Sequence, residues 1–301
     1  MSEPLENIKV LVLTLYSGEK QLDECTSALQ EQSYSNWEQK IFRFLPNVEA
    51  HRRLYREIMR RAGEFDLFVK LDADMVLSHV SALEEMVGRF VEDPGLDHAV
   101  FPVHDWYSGR DIMGVHVFTG RARWSERDDR VFVDPSPAVP GTRCVFSDDE
   151  AVAEHAPEPT LEEAFLFGRH RALKIVQRGR WFKNVGQADF QLGLLCSVWE
   201  MFLASEDLRR GAALWAAEEV FSNAERQLES KTVSWEYENS IKSLQGMGLK
   251  QLQDTLRSRW SPGLILSWRR WRCVSLPAAV KVCRSLGARG AKVLRLRPVN
   301  H

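Results

Sequence analysis

The chain has 301 residues, 44% hydrophobic and 27% charged, with a formal net charge of −2. That is the composition of a globular protein with one large domain or a domain plus an extension, and it argues against an overall nucleic-acid partner. The acidic opening Met1-Ser2-Glu3-Pro4-Leu5-Glu6 predicts no signal peptide, and no run approaches the roughly 18 apolar residues of a spanning helix. Cysteines 25, 144, 196, 273 and 283 are scattered without a C-x-x-C, so reduced thiols and a cytoplasmic location are expected.

Ile8 to Leu15 reads as a buried parallel strand ended by Tyr16-Ser17-Gly18. Leu22, Cys25, Thr26 and Leu29 follow at helical spacing, and Trp37 to Leu45 reads as a second strand. His51 to Ala62 is a helix stopped by Gly63. Phe65 to Leu71 is a third strand, and Val80, Leu83, Val87 and Phe90 mark a third helix. Ala99 to Val103 and Val115 to Phe118 are candidate strands. This alternation predicts an α/β sheet with right-handed crossovers. Residues 120 to 160 are irregular, rich in charge and then proline, in the manner of a binding loop or a plain surface excursion. Thr160-Leu161-Glu162-Glu163 reads as a capping box that opens a helix. Residues 187 to 256 are mostly helical, with breaks near Ser205 and Thr232. The expected organisation is a catalytic domain over 1–185, a helical extension over 186–256 and a basic, aromatic tail over 257–301.

Asp72-Ala73-Asp74 stands where the third strand opens into a loop, and ligand sites of open α/β sheets collect there. Two carboxylates at i and i+2 on an extended segment can share one hard cation. Mg²⁺ and Mn²⁺ take such oxygens and usually keep phosphates as further ligands. The bland alternative is a solvated acidic turn.

From Thr255 to His301 the chain has no Asp or Glu but has eleven Lys and Arg, interleaved with Trp260, Trp268 and Trp271. Aromatics among cations suit an anionic membrane surface. A terminal helix with a solvated basic face is the plainer reading.

The first ninety residues resemble the nucleotide-binding half of a GT-A-fold glycosyltransferase, most of all the family-2-like enzymes. The resemblance rests on the opening IKVLVLTLYSGEKQLDECTSALQEQSYSNWEQ, the helix before Gly63 and the strand LFVKLDADMVL, in that order. It fades beyond about residue 120. It implies a Rossmann-like, mostly parallel sheet with a helical C-terminal extension. It also implies transfer of a sugar from a nucleoside-diphosphate sugar to a glycan or lipid-linked acceptor, with Mn²⁺ or Mg²⁺. Asp72 and Asp74 would hold the metal, Asp72 also the sugar nucleotide, and His155 a further metal position. Thr14, Tyr16 and Glu19 are candidates for the nucleotide pocket, with Arg53 and Lys70 behind them. Asp148 and Asp149 are candidates for the catalytic base, followed by Asp105. His170 and Arg171, on the following helix, could face the diphosphate or solvent. Two departures stand out. The turn after the second strand is Phe44-Leu45-Pro46-Asn47 rather than Asp-rich, and no Glu-Asp pair precedes a late helix. A phosphohydrolase using Asp72 and a catalytically silent nucleotide-sugar-binding or membrane-docking module are the rival readings.

Overall fold

The computed structural model of the chain describes residues 5–125, 137–178, 185–222 and 238–260. They fall into two compact units that divide between Thr160 and Leu161. The first is α/β. In chain order it contains β1 (Val10–Tyr16), α1 (Leu22–Gln30), β2 (Trp37–Arg43), α2 (Asn47–Arg61), β3 (Leu67–Lys70) and β4 (Met75–Leu77). Then come α3 (Ala82–Glu92), β5 (Leu96–Asp105), β6 (Arg110–Thr119), β7 (Thr142–Val145) and β8 (Ala153–His155).

One sheet takes all the strands, in the order β2-β1-β3-β6-β5-β8-β4, with β7 beside β5. β1 lies parallel to both β2 and β3. The mostly parallel sheet that the resemblance implies is corrected to a mixed one, in which β5 is again parallel to β7 and β8. β3 and β6 are antiparallel, as are β6 and β5, and β8 and β4. For β5 and β6 the cause is the short link between Asp105 and Arg110. It makes a hairpin and is too short for the crossover that parallel neighbours need. A bulge follows, because the register shifts between Phe101 and Pro102. Proline has no N–H for the ladder, and the facing Gly114 has room for no side chain: a Cβ there would lie 2.5 Å from Val103 Cγ2.

The core sits where the sequence is most apolar. Val10 to Leu13 are fully buried, since β1 has a covered sheet on both faces. Leu11 and Leu13 pack with Leu54, Tyr55 and Ile58 of α2 and with Phe68 and Phe118 of the neighbouring strands. Each such side chain contributes about 1.5–3 kcal/mol.

The sheet is curled. Only Leu71–Asp74 joins β3 to β4, yet β6, β5 and β8 lie between them in the sheet. Four strand spacings on a flat sheet would be about 19 Å. The link reaches roughly 17 Å when fully extended. Bending the far edge back over the end of β3 closes that gap.

His98 is buried inside this sheet, 3.0 Å from His116 and stacked on Phe118. Burial, helped by Arg143, holds its ring down at about 4. An unfolded histidine titrates near 6.5, so the unfolded chain binds the extra proton first. Stability from the neutral His98 is complete above about pH 6.5 and is lost as the pH falls toward 4. Thermal unfolding of His98→Leu should therefore depend less on pH across that window than wild type does. Equal slopes would show that the ring is not held neutral.

The second unit is helical, with α4 (Leu161–Arg178), α5 (Val185–Ser205), α6 (Leu208–Ser222), α7 (Glu238–Gly246) and α8 (Leu249–Trp260). The expected break near Ser205 is present, with Glu206 in a left-handed turn between α5 and α6; the one near Thr232 lies outside the described residues. Ala212, Ala213, Leu214, Ala216 and Ala217 of α6 are all buried, so this helix is covered all round. α4 packs on α5 and α6, with Gly168 against the Ala213 backbone. The compact first unit therefore stops at Thr160, short of the boundary at 185 expected from sequence. No helix among the described residues is long and apolar enough to cross a membrane. Residues 261–301, which carry most of the basic tail, lie outside the described residues.

Candidate functional site

The backbone of Asp72-Ala73-Asp74 is tied to two distant segments. Leu71 N and Ala73 N donate to Leu13 O and Leu15 O, which extends the β1–β3 pairing beyond the strand. Ala156 N donates to Asp74 O at 2.6 Å, just after β8. Register then brings the side chains together. His155 is opposite Met75 on β4 and opposite Asp105 on β5. The chain leaves His155 through two left-handed non-glycine residues, Ala156 (φ +51°) and Glu158 (φ +49°). Such conformations cost on the order of 1–3 kcal/mol and persist where surrounding structure enforces them. One restraint is Gln21 at the start of α1, whose Nε2 donates to Pro157 O at 3.1 Å.

Four carboxylates and two cationic or basic groups form the cluster. Lys70 Nζ lies 2.5 Å from Asp72 Oδ2. His155 Nδ1 donates to Asp105 Oδ1 at 2.7 Å, and its Nε2 is 3.4 Å from Asp74 Oδ2. Asp105 is fully buried, and its Oδ2 accepts from Ser108 N at 2.9 Å and Ser108 Oγ at 2.5 Å. Glu19 Oε2 accepts from Ser17 N at 2.6 Å and Gly18 N at 3.1 Å. Asp72 Oδ1 and Asp74 Oδ1 are both buried and accept no hydrogen bond.

The electrostatics follow from this crowding. Burial and the nearby Asp74 charge push the Glu19 carboxyl up. Burial pushes Asp74 up as well, but the His155 ring and Lys70 outweigh it and hold the group below the usual carboxylate range. Burial opposes a charge on His155. Asp74 and Asp105 overcome that and push the ring up to about 10. Burial, with Asp74 and Asp72, pushes the Cys25 thiol up to about 12, so Cys25 is an inert thiol beside the cluster.

Of the residues singled out from sequence, Asp72, Asp74, His155, Lys70 and Glu19 come together here. Tyr16 and Thr14 lie on β1. The Tyr16 ring meets Phe44 edge-on at 5.1 Å and carries Arg43 over its face at 5.2 Å. Phe44 is left-handed (φ +52°) and 69% exposed, so it is held out into solvent. Thr14 is buried and accepts from Gln39 Nε2 at 3.1 Å. Arg53 pairs with Glu49 at 2.8 Å on the outer face of α2. Asp148 and Asp149 are on the loop between β7 and β8, where Asp149 pairs with Arg89 of α3 at 2.8 Å. His170 and Arg171 belong to the second unit, and Arg171 donates to Gln191 Oε1 at 3.0 Å. Sequence reasoning missed the pairing of Asp105 with His155. Its local signal was Asp105-Trp106-Tyr107-Ser108-Gly109, a turn whose Ser108 closes on Asp105 and whose Gly109 is left-handed (φ +62°).

Among the described residues, no three His, Cys, Asp or Glu groups are arranged as a ready cation cage. The donor chemistry nevertheless suits a hard divalent cation. Two buried carboxylate oxygens want a partner, and a cation that keeps phosphate ligands needs few protein donors. No protein-family model matches the chain, and no curated protein matches it.

Proposed function

We propose that the first unit is a GT-A-type nucleotide-sugar site and that the protein is a metal-dependent glycosyltransferase. The observation that carries this reading is the pair Asp72 Oδ1 and Asp74 Oδ1, buried without partners where β3 ends beside β1. Asp72 and Asp74, with His155, would hold Mn²⁺ or Mg²⁺. Bound there, the cation would neutralise charge that develops on the departing nucleoside diphosphate. Lys70 fixes the Asp72 carboxylate. Tyr16, Phe44 and Arg43 supply an aromatic and cationic surface at the ends of β1 and β2, suited to a nucleobase face. The acceptor would be a glycan or a lipid-linked sugar, and the 257–301 tail would bring the protein to an anionic membrane surface from the cytoplasmic side.

A thermal-shift screen of nucleoside diphosphates and their sugars, with and without Mn²⁺, tests this. A ligand of the folded state at a hundredfold its Kd stabilises by about 2.7 kcal/mol. The expected result is a metal-dependent rise with one nucleoside diphosphate that is lost in Asp74→Ala. No rise with any nucleotide would remove the donor-site reading.

The pairing of Asp149 with Arg89, and of Asp105 with His155 and Ser108, favours a second reading. These base candidates are already engaged, as in a module that binds nucleotide-sugar without turning it over. Metal-dependent release of nucleoside diphosphate would exclude it.

A further inference from the structure

We infer that Asp105 is a positioning residue that sets which nitrogen of His155 faces the Asp72–Asp74 pocket. The inference rests on the proposed metal–nucleotide reading of that pocket. Asp105 has no exposed surface, and each of its oxygens has an assigned task. Oδ2 accepts from the Ser108 backbone N–H at 2.9 Å and from the Ser108 hydroxyl. Oδ1 accepts from His155 Nδ1 at 2.7 Å. A carboxylate only accepts, so Nδ1 must carry a proton. That leaves Nε2, 3.4 Å from Asp74 Oδ2, as the nitrogen facing the pocket, where a cation held by Asp74 would take the place of its proton. The β5–β8 register places Asp105 directly beside His155, so the pairing is built into the sheet. Outer carboxylates of this kind orient a ligand histidine and typically change metal affinity 10–100-fold.

The isosteric change Asp105→Asn separates this role from a merely structural one. The Ser108 N–H still requires an acceptor, so the amide oxygen of Asn must face it. The amide NH₂ then faces His155 Nδ1 and donates to it. The ring proton is then held on Nε2, and a cation there would force it onto Nδ1 against the amide NH₂. Volume and hydrogen-bond count are kept, and only the polarity of the His155 bond is reversed.

The experiment is a thermodynamic cycle on the full chain, with Mn²⁺ alone as the probe and its free aqueous signal read by electron paramagnetic resonance. Asp105→Asn should weaken Mn²⁺ binding by a factor of about 10–100. In a His155→Ala background the same change should do nothing further, because Asp105 acts only through the ring. Wild-type Mn²⁺ binding that is abolished in Asp74→Ala but unchanged in Asp105→Asn overturns the inference and leaves the metal site standing. An equal loss in both backgrounds also overturns it and makes Asp105 structural. Absence of Mn²⁺ binding to wild type overturns both the inference and the reading beneath it. A second measurement needs no variant. With Cd²⁺ as a diamagnetic probe, ¹⁵N spectra of wild-type His155 should show the proton on Nδ1 and the metal on Nε2. The reverse assignment overturns the inference.

Discussion

Asp72→Asn and Asp74→Asn are each expected to lower nucleotide-sugar turnover about a thousandfold, on the order of 4 kcal/mol of transition-state stabilisation. Both side chains bring a buried, unpartnered oxygen to the end of β3, and asparagine keeps the shape while removing the charge. On the proposed glycosyltransferase reading, loss should appear in kcat more than in KM, because a bound cation would act on charge that grows only as the sugar leaves. Asp74→Asn should also release His155 from the raised range near 10, since Asp74 is its largest source of negative charge. Steady-state kinetics against Mn²⁺ concentration checks the first effect. Titration of the His155 ring by NMR in chelator-treated protein checks the second. Asp149→Asn is the informative companion. Its carboxylate is held by Arg89, so the change should cost little turnover. A thousandfold loss there as well would place the base on the β7–β8 loop.

Gly168→Ala is expected to destabilise the helical unit by about 3 kcal/mol, the upper part of the range for overpacking. An added Cβ would stand 1.8 Å from Ala213 O and 2.4 Å from Ala213 C. That obstacle is backbone, so no side chain can rotate away, and α4 and α6 must separate. Gly193→Ala in α5 gives the opposite sign. Nothing lies within 4 Å of its would-be Cβ, and alanine is the better helix residue by about 1 kcal/mol. Urea unfolding of the two variants, followed by circular dichroism, should move the midpoint in opposite directions. A neutral Gly168→Ala would mean that α4 and α6 do not pack as closely as described.

The parts of this fold that were legible in sequence are those whose signal is local. β1 and β3 announce themselves as apolar runs because they are buried on both faces. α2 and α3 announce themselves by one-sided periodicity. β4 and β8 have three residues each, too few to show an alternation, and β7 is mostly exposed. The antiparallel half of the sheet stayed hidden for the same reason, since it depends on a tight link whose flanking strands were read as separate. Asp72 and Asp74 stand out in the sequence because i, i+2 spacing at a strand end is a local pattern, and the structure brings them into one cluster with His155 and Lys70. Asp105 and His155 are 50 residues apart, and their pairing exists only through β5–β8 register. The unit boundary at Thr160 was not legible because capping shows where a helix starts, not what it packs against.

The link that carries Asp72 and Asp74 is also a ruler. Side chains alternate along a strand, so a one-residue slip of β4 against β8 would reverse every side chain on it. Met75 and Leu77 would turn from the core toward solvent, and His155 would face a different neighbour. A deletion or insertion between Lys70 and Met75 therefore cannot be absorbed as loops usually absorb one. The spacing of the two carboxylates and the closure of the sheet edge are one and the same length. In this link the number of positions is as constrained as the two carboxylates it carries.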